Sequence, residues 1–101
     1  MAVVRFSRRA EADLLVIGNY TLRTWGRDQA IRYLDELEAC CLQLAEHPGL
    51  GRVCDEIRLG LQRFEQGRHV VFYRQEVGGI LVSRILDQRM LPRRHRLGDD
   101  D

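Results

Sequence analysis

The hydrophobic period of this chain changes at Pro48, and that change constrains the fold more than any other feature. Before it, Ala30, Leu34, Leu37, Cys41 and Leu44 recur at intervals of 4, 3, 4 and 3 residues. That stripe belongs to an amphipathic helix with one face on a core. After it, Ile57, Leu59 and Leu61 alternate with Arg58, Gly60 and Gln62, which is the period of a strand. His47-Pro48-Gly49 marks the boundary, because proline cannot continue a helix and glycine permits the turn.

The remaining elements follow from the same logic. Residues 2–6 are β-branched and aromatic and read as a short strand. Ser7 is placed to cap a helix carrying Ala10, Leu14, Ile17 and Thr21 at helical spacing, with Gly26 at its end. Asp28 can cap the second helix, expected over 29–46. So short a break makes the two helices an antiparallel hairpin. Three strands are expected near 57–62, 68–74 and 80–86, with turns at 65–67 and 77–79, forming an antiparallel meander. The predicted fold is α+β, in the order β-α-α-β-β-β, a helical hairpin packed on a small antiparallel sheet. It occupies residues 1–97 as a single domain, followed by an acidic tail at 98–101. The strand at 70–73 is apolar on both faces. Such strands usually have both faces covered, so the tail, a second copy or a partner chain is expected over the second face.

At 101 residues the chain allows one domain. With 45% hydrophobic and 31% charged residues, its composition excludes intrinsic disorder. No apolar run approaches the ~20 residues of a membrane-spanning helix, and residues 1–6 are too short and too soon charged for a signal peptide. Cys40, Cys41 and Cys54 are an odd set with two neighbours adjacent, unsuited to a disulfide framework. A reducing, cytoplasmic setting is expected. All 16 basic residues are arginine. Residues 1–50 carry six Arg and seven acids, a balance of −1, whereas 51–96 carry ten Arg and five acids, a balance of +5. The basic C-terminal half favours an acidic partner.

Few residues offer chemistry. Cys40, Cys41, His47 and Cys54 lack a C-x2-C pair, and Cys41 falls on the apolar helix stripe, so these cysteines read as core. No metal or cofactor is called for. Ser7 and Ser83 lack the glycine elbow of a nucleophile, and no glycine-rich phosphate loop is present. Acid–base chemistry on RNA could be served by His69, Tyr73, Arg89 and His95 if they converge, with Arg84 as a further cation. Arg84, Arg89, Arg93, Arg94, His95 and Arg96 form the densest cationic run, either a solvated tail or a docking segment. The second helix is acidic at Asp35, Glu36 and Glu38, so direct sequence-specific DNA binding is not expected.

Several motifs together resemble a known family. They are Phe6-Ser7-x-x-Ala10-x-x-Asp13-Leu14, Ile17-x-x-Tyr20, Trp25-Gly26-x-x-x-Ala30, His47-Pro48-x-x-Gly51-Arg52, Gly67-Arg68-His69-Val70-Val71-Phe72-Tyr73 and Arg84-Ile85-Leu86-x-x-Arg89-Met90. In this order they resemble the ParE branch of the RelE/ParE superfamily, toxins of type II toxin–antitoxin modules, over residues 3–97.

The resemblance implies a ParD-like antitoxin encoded in the same operon, whose C-terminal segment covers apolar and basic surface. It also implies a non-enzymatic inhibitor of DNA gyrase. Two alternatives stand beside this: a RelE-like, ribosome-dependent mRNA endonuclease using His69, Tyr73, Arg89 and His95, and an inactive remnant that only binds antitoxin. Val70 stands where the ribonuclease branch commonly has a basic residue, which favours the gyrase branch. Arg84, Arg89, Met90, Arg94 and His95 are the expected target contacts. Val71, Tyr73, Leu81 and Arg68 are the expected antitoxin contacts, on an exposed sheet face beside an apolar groove rimmed by arginines.

Overall fold

The computed structural model describes residues 1–91. The chain runs β1 (Val3–Phe6), α1 (Arg8–Trp25), α2 (Arg27–Glu46), a 3₁₀ turn (Pro48–Leu50), β2 (Arg52–Val53), β3 (Gln62–Gln66), β4 (His69–Glu76), β5 (Gly79–Asp87) and a second 3₁₀ turn (Gln88–Met90). The helical hairpin packs on one face of a five-stranded sheet ordered β1-β5-β4-β3-β2. β3, β4 and β5 form the antiparallel meander that the turns predict. The sheet as a whole is mixed, because β1 adds in parallel to β5, Val3 opposite Gly79 through Phe6 opposite Val82.

Ser7 fixes where α1 starts. Its hydroxyl accepts the Ala10 amide at 3.0 Å, satisfying one of the helix's open donors, and donates to the Ser83 carbonyl at 2.8 Å. One residue therefore ends β1, caps α1 and ties both to β5. Gly26 joins the helices with φ at 92°, a conformation that glycine adopts without a Cβ penalty. Its amide closes α1 on Leu22 at 3.1 Å, and its carbonyl accepts the Ala30 amide at 3.0 Å. That single joint leaves no room for a separate cap. Asp28, expected as the cap, instead lies in the first turn of α2 and makes no capping bond.

The alternation at 57–62 does not mark a strand. Residues 55–60 form turns, with the Gly60 amide donating to Asp55 Oδ1 at 2.8 Å and the Leu61 amide to the Arg58 carbonyl at 3.0 Å. The strand begins at Gln62 and is largely polar. Ile57 and Leu61 turn down onto the sheet, whereas Leu59 is 85% exposed. The apolar alternation reports a lid segment folded over the sheet, not pairing within it.

That segment answers why β4 is apolar on both sides. Val71 and Tyr73 lie beneath the helices with Ile80, Val82 and Ile85 of β5. Val70 and Phe72 face the other way, into a smaller cluster with Cys54 and Leu61, flanked by Ile57, Leu86 and Leu91. All four β4 residues are at most 1% exposed. The chain's own residues 54–61 and Leu91 cover the second face at β4. The expected exposed-face set is therefore corrected. Val71 and Tyr73 belong to the main core, and the face opposite is largely occupied.

Candidate functional site

The turn between β3 and β4 brings Arg68 and His69 against the helix junction, and the end of β5 brings Asp87 beside them. With Tyr20, Trp25 and Tyr33 they line a recess of about 250 Å³. Two of its aromatics face solvent: Trp25 is 60% exposed and Tyr20 44%. Gly67 makes the turn with φ at 59°, and a Cβ there would press to 2.9 Å from the Tyr33 ring. Only glycine fits a positive φ under that ring.

Tyr33 organises the floor. Its hydroxyl accepts the Arg68 amide at 3.1 Å and sits 2.5 Å from His69 Nδ1 and 3.3 Å from the Gln66 carbonyl. Burial pushes the histidine below its usual range, with Arg68 and Arg89 adding to that and Asp87 and Asp13 opposing it. A neutral imidazole can accept the tyrosine proton at Nδ1. Burial also raises the Tyr33 hydroxyl. The pair is a fixed structural contact between α2 and the β3–β4 turn.

Arg89 forms the cationic rim. Its guanidinium contacts both Asp87 carboxylate oxygens at 3.2 Å, its amide donates to Asp87 Oδ1 at 2.8 Å so that Asp87 caps the 3₁₀ turn, and its side chain also engages Tyr20. The hydrogen bonds from Arg89 hold the Asp87 carboxyl below the usual carboxylate range. Arg89 remains 64% exposed at its side chain, so it can meet a partner without leaving Asp87.

The candidate residues read from the sequence are thus divided. Arg68 and His69 line the recess, Arg89 reaches its edge through Asp87 and Tyr20, and Met90 follows in the adjoining 3₁₀ turn. Arg84 is drawn instead to Asp13 of α1. Tyr73 lies in the middle of β4, four residues on from His69 at its start and about 13 Å away by strand rise. Its hydroxyl donates to the Pro48 carbonyl at 2.6 Å and accepts the Gly51 amide at 2.9 Å. His69 and Tyr73 therefore do not form the acid–base pair considered for a ribonuclease. Leu81 is half-buried on the sheet face away from the helices. Arg94, His95 and the tail at 98–101 lie outside the described residues. The exposure of Tyr20 and Trp25 and the roles of Tyr33 and Asp87 were not visible beforehand, since helical spacing shows periodicity but not which aromatics a distant turn will meet.

A second surface lies between the helices. Phe6, Leu14, Leu15, Leu34, Leu37 and Cys41 line an apolar groove of about 690 Å³. Its rim carries Glu11, Asp35 and Glu38, which corrects the expectation of an arginine rim. The arginines of the sheet lie elsewhere. All three cysteines are free and buried. Burial pushes the Cys41 thiol up to about 12 and raises Cys40 and Cys54, so none is poised as a nucleophile. Among the described residues, no helix is long and apolar enough to cross a membrane.

The fold is thus a helical hairpin on a small mixed sheet, an α+β domain with an aromatic recess carrying Arg68 at one end and an apolar groove with an acidic rim on the hairpin. Residues 4–92 match the family model described as "ParE toxin of type II toxin-antitoxin system, parDE". The chain belongs to this ParE toxin family. It is 44% identical over 95 residues to Toxin ParE1 of Caulobacter vibrioides, covering 94% of this chain and 98% of that one. It is 44% identical over 85 residues to Toxin ParE1 of Mycobacterium tuberculosis, covering 83% and 87%. It is 35% identical over 91 residues to Toxin ParE of Escherichia coli, covering 89% and 88%. The fold is shared with a solved structure titled "Chromosomal ParDE TA system from P. aeruginosa", with a TM-score of 0.71, 19% identity, and coverage of 86% of this chain and 96% of that one.

Proposed function

We propose that this ParE-family toxin acts by inhibiting DNA gyrase, without chemistry of its own, and that a ParD-like antitoxin from the same operon neutralises it in the cytoplasm. The family match along residues 4–92 carries this reading. The separation of His69 from Tyr73 supports it over message cleavage, because the base and acid considered for RNA stand four strand residues apart and the Tyr73 hydroxyl is tied to the Pro48 carbonyl and the Gly51 amide. The recess is the surface offered to the target. Trp25, Tyr20, Arg68 and Arg89 are the residue types that dominate protein–protein hot spots, and the chain continues from Met90 toward Arg94 and His95. The hairpin groove is the surface offered to the antitoxin. Its apolar floor and acidic rim suit a segment with apolar anchors and flanking basic residues.

The test is a gyrase assay with purified, antitoxin-free protein and plasmid DNA. Linear DNA or lost supercoiling is expected, rising with toxin concentration. If folded protein arrests growth while gyrase is untouched, the target is elsewhere. If growth is also unaffected, the chain only binds antitoxin.

A further inference from the structure

The recess at the helix junction holds three donors that no described residue accepts. Tyr33 has one hydroxyl proton. Its oxygen lies 2.5 Å from His69 Nδ1 and 3.3 Å from the Gln66 carbonyl, and the nearer acceptor takes the proton. The neutral imidazole then keeps its own proton on Nε2. His69 is only 8% exposed. Yet Nε2 bonds to no described residue and is not sealed off, so it opens on the recess that its ring lines. Arg68 is exposed at the mouth. Its backbone amide serves Tyr33, and its guanidinium has no partner among the described residues. The indole nitrogen of Trp25 has none among them either. Each of these groups donates and none accepts. Thr21 and Asp87 are already engaged. The Thr21 hydroxyl donates to the Ile17 carbonyl at 2.7 Å, and Asp87 receives the Arg89 guanidinium and amide.

We infer that the recess seats a carboxylate side chain, glutamate or aspartate, presented by the protein target, with its oxygens on Arg68 and His69 Nε2 and an apolar neighbour on Trp25 and Tyr20. This rests on the reading above that the recess is the surface offered to the target. A carboxylate brings acceptors only, and a guanidinium fork matches its two oxygens. A largely buried donor without an acceptor costs free energy until one arrives, which singles out His69 Nε2 as the inner contact. The space of about 250 Å³ suits a side chain and not a helix, which is about 10–12 Å across. Three aromatics beside a carboxylate could instead attract a cation. Here, however, Asp87 holds the Arg89 guanidinium on both oxygens at 3.2 Å. Arg68, Arg89 and Asp87 together leave a balance of +1 at the recess and its edge. That sign selects an anion.

The experiment needs no gyrase, so its failure is distinct from failure of the gyrase reading. A capped tripeptide, acetyl-Ala-Glu-Leu amide, is titrated to millimolar concentration into the full chain. The ring N–H signals of His69 and Trp25 are followed by NMR, and both are expected to shift along one saturation curve. The glutamine counterpart of the peptide should bind about fivefold more weakly, the loss expected for a partly exposed charge-assisted hydrogen bond. Arg68→Gln should melt as the wild type does and lose a similar factor for the glutamate peptide, and Arg68→Lys should lose part of it. Capture of the glutamate peptide by a toxin that leaves gyrase untouched supports the site and refutes gyrase as the target. Equal affinity for the two peptides overturns the proposal. So does binding that Arg68→Gln leaves unchanged, or the absence of any shift at His69 and Trp25 in folded protein. Tighter binding of acetyl-Ala-Arg-Leu amide overturns it in favour of a cation. Inorganic phosphate that shifts both signals where the glutamate peptide does not overturns it in favour of a nucleic-acid backbone.

Discussion

Asp13 on α1 and Arg84 on β5 form a two-pronged ion pair, Nε to Oδ2 at 2.9 Å and Nη2 to Oδ1 at 3.1 Å. The same carboxylate accepts the Ile85 amide at 2.8 Å. β1 stops at Phe6 opposite Val82, so β5 runs on past its neighbour with an open edge. Asp13 takes over as the hydrogen-bonding partner of that edge. Arg84 then belongs to the scaffold that sets the recess, one strand residue removed from the surface role its charge advertises.

Removing this carboxylate is expected to be costly. The Asp13 side chain is 14% exposed and that of Arg84 23%, so Asp13→Ala leaves a largely buried cation and an unpaired amide. The expected loss is about 2–4 kcal/mol, which for a chain of this size lowers the melting temperature by roughly 10 °C or more. Asp13→Asn retains an acceptor for Ile85 and should lose less. A thermal melt of both variants checks the order; equal losses would mean that the amide bond contributes little.

Tyr73 is expected to matter for stability and not for activity. Tyr73→Phe strands the Gly51 amide, for about 1–3 kcal/mol. Gly51→Ala should be at least as harmful, because a Cβ there would overlap the Tyr73 hydroxyl. At temperatures where Tyr73→Phe is folded, growth arrest should equal that of the wild type. A folded but harmless variant would restore Tyr73 to the list of functional residues.

The recess predicts a different pattern. Trp25 faces solvent at 60%, so Trp25→Ala should change stability by no more than about 0.5 kcal/mol. As an anchor for the target it should raise the toxin concentration for half-inhibition of gyrase at least tenfold, about 1.4 kcal/mol or more. Unchanged inhibition would remove the recess as the target surface.

His69 should make stability fall on acidification. Its folded pKa is depressed by burial, so the unfolded chain binds this proton first as pH drops below about 6.5. Stability is therefore greatest above that point, declines as pH falls toward the folded pKa, and levels off below it. The carboxyls of Glu65 and Asp87 are held low, and their contribution is lost only at more acid pH. Denaturant titrations between about pH 7 and 5 should show the slope in wild type and a flatter profile in His69→Asn.

Much of the fold was legible because its helices obey one period from end to end. Ser7, Gly26 and Pro48 each mark a boundary with a distinct physical signal. The faces of β4 were not legible. When residues on both sides of a strand are apolar, period 2 gives the register and leaves open which side meets the helices. Val71 and Tyr73 therefore read as outward from the sequence and lie inward in the fold. The polar β3 was displaced by the more apolar 57–61, whose side chains are buried by a turn folded over the sheet and not by pairing. The recess was half legible. Arg68, His69 and Arg89 could be named from the sequence, but their meeting with Tyr20, Trp25 and Tyr33 depends on how the hairpin sits over the sheet, which long-range contacts such as Asp13 to Arg84 fix.

The enclosure of β4 by its own chain has a consequence for how an antitoxin can act. Val70 through Tyr73 are sealed above and below by this chain alone, so burying them calls for no second molecule. On the function proposed above, an antitoxin is a lock placed on a strand already sealed, not a missing half of its core.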